Sequence, residues 1–199
     1  MFYGAKFVVR NALGLDPAGR NLAVFPDDTF IVSYPHSGNT WTRFLLPNLL
    51  HPAEPATFLN IERMVPDAEA QSNRYLKNIS RPRVIKTHEY FDHRYQNVIY
   101  VVRDPRDVVV SYYHFQRKYD HVPDNYPLQS FVQDFVSGSV SNNWGTWAEN
   151  VGSWIGARLD TPRFLLLRYE DLVSQPSTEL QRVCDFLSIA PVPSLIAQT

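Results

Sequence analysis

With one cysteine in 199 residues, the chain cannot close an internal disulfide, and Cys184 has no cysteine or close-set histidine beside it at metal-ligand spacing. A buried thiol in a reducing compartment is the expectation. An excess of either charge is lacking too, since 19 Lys and Arg stand against 20 Asp and Glu. No overall field would hold the molecule to nucleic acid or to an anionic membrane, so any anion site must be local. Long apolar runs are absent. No segment reaches membrane-spanning length, and the opening stretch MFYGAKFVVRNALGLDPAGR has neither a continuous apolar core nor a small-residue cleavage site. A cytoplasmic protein without a membrane span is expected. Internal repeats and low-complexity tracts are missing as well.

What is present, 44% hydrophobic and 20% charged residues, suffices for the core of one globular domain over residues 1–199. The period of the apolar pattern alternates along the chain. Thr29–Tyr34 is a short β-rich run, Pro35–Asn39 a turn, and Thr40 opens a helix. Arg83–Thr87 and Asn97–Arg103 are further strands, the latter apolar enough to be buried on both faces. Asp104-Pro105 starts a helix that continues through Val108 to Phe115, and Asn142–Ala157 is another. Arg163–Arg168 is a fourth strand, and Ser177–Leu187 a closing helix introduced by Pro176. Strands alternating with helices predict an α/β fold in three layers, a mainly parallel central sheet flanked by helices.

In such sheets the ligand lies beyond the carboxyl ends of the strands. After the first strand, Gly38 permits close backbone approach, and the following helix aims its first N–H groups at whatever anion sits there. Ser37, Asn39 and Thr40 add side-chain donors. This is a P-loop-like strand, loop and helix without the Walker G-x-x-x-x-G-K-[ST] pattern; taken alone it reads equally as a capped helix start. After the third strand, Arg103 offers a planar fork and Ser111, eight residues on, a hydroxyl, together a clamp for a second anion. Arg106 and Asp107 read as surface charges.

At these two segments the sequence resembles the sulfotransferases that use 3′-phosphoadenosine 5′-phosphosulfate (PAPS), whose loops read like Tyr-Pro-Lys-Ser-Gly-Thr-Thr-Trp and Arg-Asn-Pro-Arg-Asp-Val…Ser-Tyr-Tyr. Lys86-Thr-His88 and Leu167-Arg-Tyr-Glu-Asp-Leu172 agree in order and type, so the resemblance runs from about Thr29 to Leu187. It implies that Ser37, Gly38, Asn39 and Thr40 hold the 5′-phosphosulfate of PAPS, and that Arg103 and Ser111 hold the 3′-phosphate. Trp41 would stack on adenine, with Tyr169 also facing it; packing of Trp41 in the core is the plainer alternative. His88 would be the general base and Lys86 a positive charge for the transferring group, with no metal needed. The remaining histidines, among them His51, His93, His114 and His121, have no metal-like spacing.

Two departures from the family pattern stand out. His36 takes the place of a lysine that neutralises the leaving phosphate; beside a polyanion its pKa should rise, with activity increasing toward mildly acidic pH. The chain also stops at Thr199 without the Arg-Lys-Gly-x-x-Gly-Asp-Trp-type segment that closes over the 3′-phosphate in the family. Two readings follow from the resemblance: an active enzyme with a small-molecule, lipid or carbohydrate acceptor, or a catalytically silent protein that binds PAPS or its product adenosine 3′,5′-bisphosphate (PAP). A small-molecule kinase is disfavoured by the missing Walker lysine. The acceptor would be shaped by Phe58–Leu76 and Lys118–Gly138, where Tyr75, Tyr119, Tyr126 and Phe131 are expected to pack in the core.

Overall fold

A computed structural model describes residues 16–140 and 143–190. Its four apolar runs pair into one sheet. β1 (Thr29–Ser33), β2 (Val84–Thr87), β3 (Asn97–Val102) and β4 (Phe164–Arg168) lie in the order β2-β1-β3-β4, all parallel. Thr29 stands opposite both Val84 and Asn97, and Val98 opposite Phe164. Every residue of β1 is buried, which a strand covered on both faces requires. Phe30 and Val32 join Tyr100 and Trp154 on one face, while Ile31 joins Ile99, Leu46 and the buried Cys184 on the other.

Helices supply the outer layers. α1 (Asn39–Leu50), α2 (Ile61–Met64) and α3 (Asn73–Lys77) occupy the crossover from β1 to β2. α4 (Pro105–Lys118), α5 (Leu128–Ser137) and α6 (Trp147–Arg158) lie between β3 and β4, and α7 (Tyr169–Ser174) and α8 (Pro176–Leu187) follow β4. α1 and α8 bury Leu46, Leu49, Leu180 and Val183 on one face, whereas α6 lays Val151 and Trp154 on the other. The chain steps from β1 to β2 in one direction and then crosses to β3 on the far side of β1. That reversal opens a crevice between the carboxyl ends of β1 and β3, where open α/β sheets receive ligands.

Several boundaries differ from the sequence expectation for physical reasons. β2 begins at Val84, because Arg83 turns into a buried ion pair, and β3 ends at Val102, because Arg103 is drawn toward the loop after β1. The helix expected over residues 142–157 begins at Trp147, where Thr146 and Glu149 form a reciprocal capping box; Asn142 lies outside the described residues. Residues 118–138 contain α5, whose Leu128, Phe131, Val132, Phe135 and Val136 have helical spacing. Phe131 is fully buried there, but Tyr75 and Tyr119, expected in the core, are 38% and 52% exposed.

At the amino ends of the strands, Arg83 and Asp28 form an ion pair whose side chains are both inaccessible to solvent. Arg83 Nε donates to Asp28 Oδ1 at 2.8 Å, and its other nitrogens donate to Leu76 O and Ala23 O, each at 2.8 Å. The Phe25 N–H donates to Asp28 Oδ2 at 2.7 Å, so both charges are hydrogen-bonded as well as paired. Asp28→Ala leaves a buried guanidinium without its counter-charge and is expected to cost about 3–5 kcal/mol of unfolding free energy, read by urea titration. A loss below about 1 kcal/mol, the scale of an exposed pair, would contradict this account.

Candidate functional site

The loop between β1 and α1 is built for close approach. Gly38 caps α1 at φ +98°, a left-handed conformation, and a Cβ there would stand 2.5 Å from Cδ2 of Tyr169. No side chain caps the helix, so its first-turn amides face the crevice without intrahelical acceptors. His36 also has a positive φ of 66°, which turns its carbonyl toward Arg103, whose Nη1 donates to it at 3.3 Å. The Arg103 guanidinium lies 4.4 Å above the Tyr169 ring, and Trp41 meets the same ring edge-on at 5.9 Å. Ser111, on α4, places its hydroxyl 3.4 Å from His36 Nδ1. His36, Gly38, Trp41, Arg103, Ser111 and Tyr169, dispersed in sequence, therefore share one crevice. Ser37 Oγ and Arg103 Nε are buried there with no hydrogen-bond partner among the described residues, as expected of donors suited to an anion. Thr40 is exposed at the helix start.

His88 stands just past the end of β2. Its Nδ1 lies 2.8 Å from the carbonyl oxygen of Ser33, the last residue of β1. A carbonyl only accepts, so Nδ1 carries the proton and the neutral ring presents its lone pair on Nε2. Burial, reinforced by the charge of Lys86, pushes the imidazole down to about 3. Trp144 meets the ring edge-on at 5.7 Å. Asn150, fully buried on α6, donates to the carbonyls of both His88 and Trp144, at 3.1 and 3.3 Å.

Two sequence expectations need correction. The Asn39 side chain does not face the crevice: its Nδ2 turns inward to Ser33 Oγ at 3.1 Å and the Thr87 carbonyl at 3.3 Å, tying α1 to two strand ends. Lys86 is neither a surface side chain nor an uncommitted cation, for its Nζ is held by Asp67 at 2.9 Å and Glu69 at 3.2 Å. In the unliganded chain burial, followed by the Arg103 charge, pushes His36 down to about 4, while the expected rise concerns the ring beside a bound polyanion. Its ring lies against Tyr112 and Phe115, at 4.6 and 5.0 Å between centroids. Ser33, Asp67, Glu69, Asn150 and Glu170, whose carboxylate receives the Asp104 N–H at 2.9 Å, escape sequence reasoning. Each acts through a contact distant in sequence that has no pattern in the chain.

Beside Trp41 and Tyr169, a cavity of about 290 Å³ is closed by Leu172, Val173 and Pro176. A larger one, about 960 Å³, opens at the opposite ends of the strands near Thr29, Val84 and Asn97. Its Arg63, Arg81 and Arg83 are paired with Glu54, Asp27 and Asp28, so size alone does not make it the anion site.

The sulfotransferase domain family matches residues 26–198. The chain is 34% identical over 177 residues to mouse sulfotransferase 1 family member D1, covering 81% of this chain and 59% of that protein. It is 32% identical over 189 residues to cytosolic sulfotransferase 1 of Danio rerio, covering 86% and 62%. It thus spans about three-fifths of the length of these relatives. A crystal structure of a mouse sulfotransferase complexed with PAP superposes with a TM-score of 0.73 at 25% identity, covering 91% of this chain and 65% of that one. Retinol dehydratase bound to retinol and PAP shares the fold, with a TM-score of 0.76 at 21% identity, covering 91% and 65%.

The depressed histidines give the stability a definite pH dependence. Unfolding returns His36 and His88 to about 6.5, so the unfolded chain binds protons that the native one refuses. Their contribution is complete above about pH 6.5 and is lost as pH falls toward about 4 for His36 and about 3 for His88. Urea titrations at pH 7, 6 and 5 should show stability falling by up to about 1.4 kcal/mol per pH unit for each histidine, and His36→Gln should remove one share of the slope. A flat profile between pH 7 and 5 would refute the assignment.

Proposed function

Since the chain belongs to the PAPS-dependent sulfotransferase family, we propose that it transfers a sulfuryl group from PAPS to a hydroxyl or amine of a small-molecule, lipid or carbohydrate acceptor. One observation carries this reading: two donor-rich segments, the Gly38 loop and the segment that carries Arg103 and Ser111, meet at the β1–β3 crevice, with His88 tied to the same strand end through Ser33. Residues present here suit the nucleotide. The uncapped amides of α1, with Ser37 and Thr40, would receive the 5′-phosphosulfate. Arg103 and Ser111 would receive the 3′-phosphate, and Trp41 and Tyr169 would flank the adenine beside the slot they line.

In the transfer, His88 Nε2 takes the proton released as the acceptor's oxygen or nitrogen bonds sulfur. The bond from sulfur to the 5′-phosphate oxygen breaks, and its electron pair leaves with that oxygen. His88 suits this role because Ser33 fixes its tautomer and burial keeps it unprotonated. In-line positioning and hydrogen bonds to the leaving phosphate supply the rest. A silent PAP-binding protein is the second reading, favoured by two specific features: neutral His36 and a Lys86 already paired with carboxylates.

Calorimetric titration with PAP should give micromolar binding that Arg103→Ala abolishes; no binding by the native chain would overturn both readings. Sulfuryl transfer to a panel of phenols, alcohols and amines separates them. Turnover that His88→Ala lowers by about 10²–10⁴ supports the enzyme, and PAP binding without turnover supports the silent protein.

A further inference from the structure

Glu69 lies outside every segment assigned to the donor, yet it holds the segment that carries His88. The stretch Pro66–Glu69 runs along the free edge of β2: the Lys86 N–H donates to Pro66 O and the Ala68 N–H to Lys86 O, both at 2.9 Å. This brings the Glu69 carboxylate past the end of the strand. There Oε1 accepts from Thr87 Oγ1 at 2.6 Å and from the His88 N–H at 2.8 Å, while Oε2 accepts from Lys86 Nζ at 3.2 Å. One side chain thus grips three consecutive residues. Burial alone would raise its carboxyl, but Asp67, the Lys86 charge and the donors of Thr87 and His88 together hold it below its ordinary value.

The grip matters because His88 is beyond the sheet. β2 ends at Thr87, so the His88 peptide has no ladder partner and must be fixed by side chains. Its N–H is taken by Glu69 and its carbonyl by Asn150 at 3.1 Å. With both backbone groups held, the ring projects from a fixed peptide and meets Ser33 O at 2.8 Å. Charge-assisted hydrogen bonds are roughly twice as strong as neutral ones, so the carboxylate is the stronger of the two clamps.

We propose that Glu69 is a positioning residue for sulfuryl transfer, its carboxylate fixing Lys86, Thr87 and His88 so that the imidazole meets Ser33 with Nδ1 and the acceptor with Nε2. The proposal rests on the enzyme reading given above. Glu69→Ala removes both acceptor oxygens and with them all three hydrogen bonds. Glu69→Gln keeps a carbonyl oxygen for Thr87 and His88 but replaces the Oε2 that accepts from Lys86 with an NH2, leaving Lys86 to Asp67.

Both variants are compared with the native chain by long-range ¹H–¹⁵N correlation of ¹⁵N-histidine-labelled protein, by PAP calorimetry and by steady-state kinetics. The native His88 ring should show one tautomer with the proton on Nδ1. Glu69→Ala should show a mixture, and Glu69→Gln the native pattern. PAP affinity should stay within about twofold in both, since the donor crevice does not include Glu69. kcat should fall about 10–100-fold in Glu69→Ala with the donor KM within about twofold, and Glu69→Gln should restore most of it. An unchanged tautomer and kcat in Glu69→Ala would overturn the proposal. So would parallel loss of PAP affinity, native tautomer and stability in both variants, which marks a merely structural acid. If the native chain binds PAP without turnover, the enzyme reading fails, while the tautomer spectrum still decides whether Glu69 sets the His88 ring.

Discussion

The buried carboxamide of Asn39 is the joint on which the candidate site depends. From the first position of α1 it reaches back to the Ser33 hydroxyl and across to the Thr87 carbonyl, so one group registers the start of the phosphate-loop helix against the ends of two strands. Ser33 then passes the registration to His88 through its own carbonyl. The loop that would hold the donor and the ring that would receive the acceptor's proton are therefore parts of one hydrogen-bonded unit. A strand end is the natural place for such a unit, because its last carbonyls have no ladder partner and take up side-chain donors instead. Fixing two reacting groups to one joint is also how a protein holds a reactive geometry without motion.

The crevice would offer an anion dipoles more than charge. Arg103 is the cation most directly committed to it, and its guanidinium is held by the Tyr169 ring and the His36 carbonyl. His36 is neutral when unliganded, and Lys86 is matched by two carboxylates. What remains are the uncapped amides of α1 and the Ser37 hydroxyl, buried and without a hydrogen-bond partner among the described residues. Preorganised donors of this kind need no counter-ion in the empty state and are worth more in a water-poor crevice than at the surface. Such a site can exist in a chain whose charges sum to nearly zero.

The strands and the two segments that meet at the crevice were legible because both follow short-range rules. A continuous apolar run such as Asn97–Val102 reads as a doubly covered strand, and glycine before a helix start reads as a loop for close approach. Residues whose role is set by backbone contacts across the fold were not. Glu69 is one acid in a polar stretch until β2 is laid beside it, and Asn150 is one polar residue on an amphipathic helix until it meets the His88 carbonyl. Lys86 and Asn39 show the reverse error. Their types suit an anion, but buried carboxylates and strand-end acceptors compete for the same donors and lie closer. α5 follows a third pattern, its helical spacing plain once the stretch is not treated as a variable loop.

The low basicity of His88 is compatible with the base role proposed for it. An imidazole that holds protons poorly would be useless for deprotonating an alcohol at rest, since the proton would have to climb a large pKa gap. As the acceptor's oxygen gains a bond to sulfur, however, it takes on oxonium character and its proton becomes strongly acidic. At that stage even a weak base accepts it downhill, and what counts is that the base be unprotonated and correctly aimed when the moment comes. Burial secures the first condition and the Ser33 carbonyl the second, with Glu69 and Asn150 holding the peptide from which the ring projects. The low basicity of the ring thus accompanies the burial and the Ser33 contact that hold it in one tautomer. A site that delays proton transfer until bond formation is advanced loses little by that weakness.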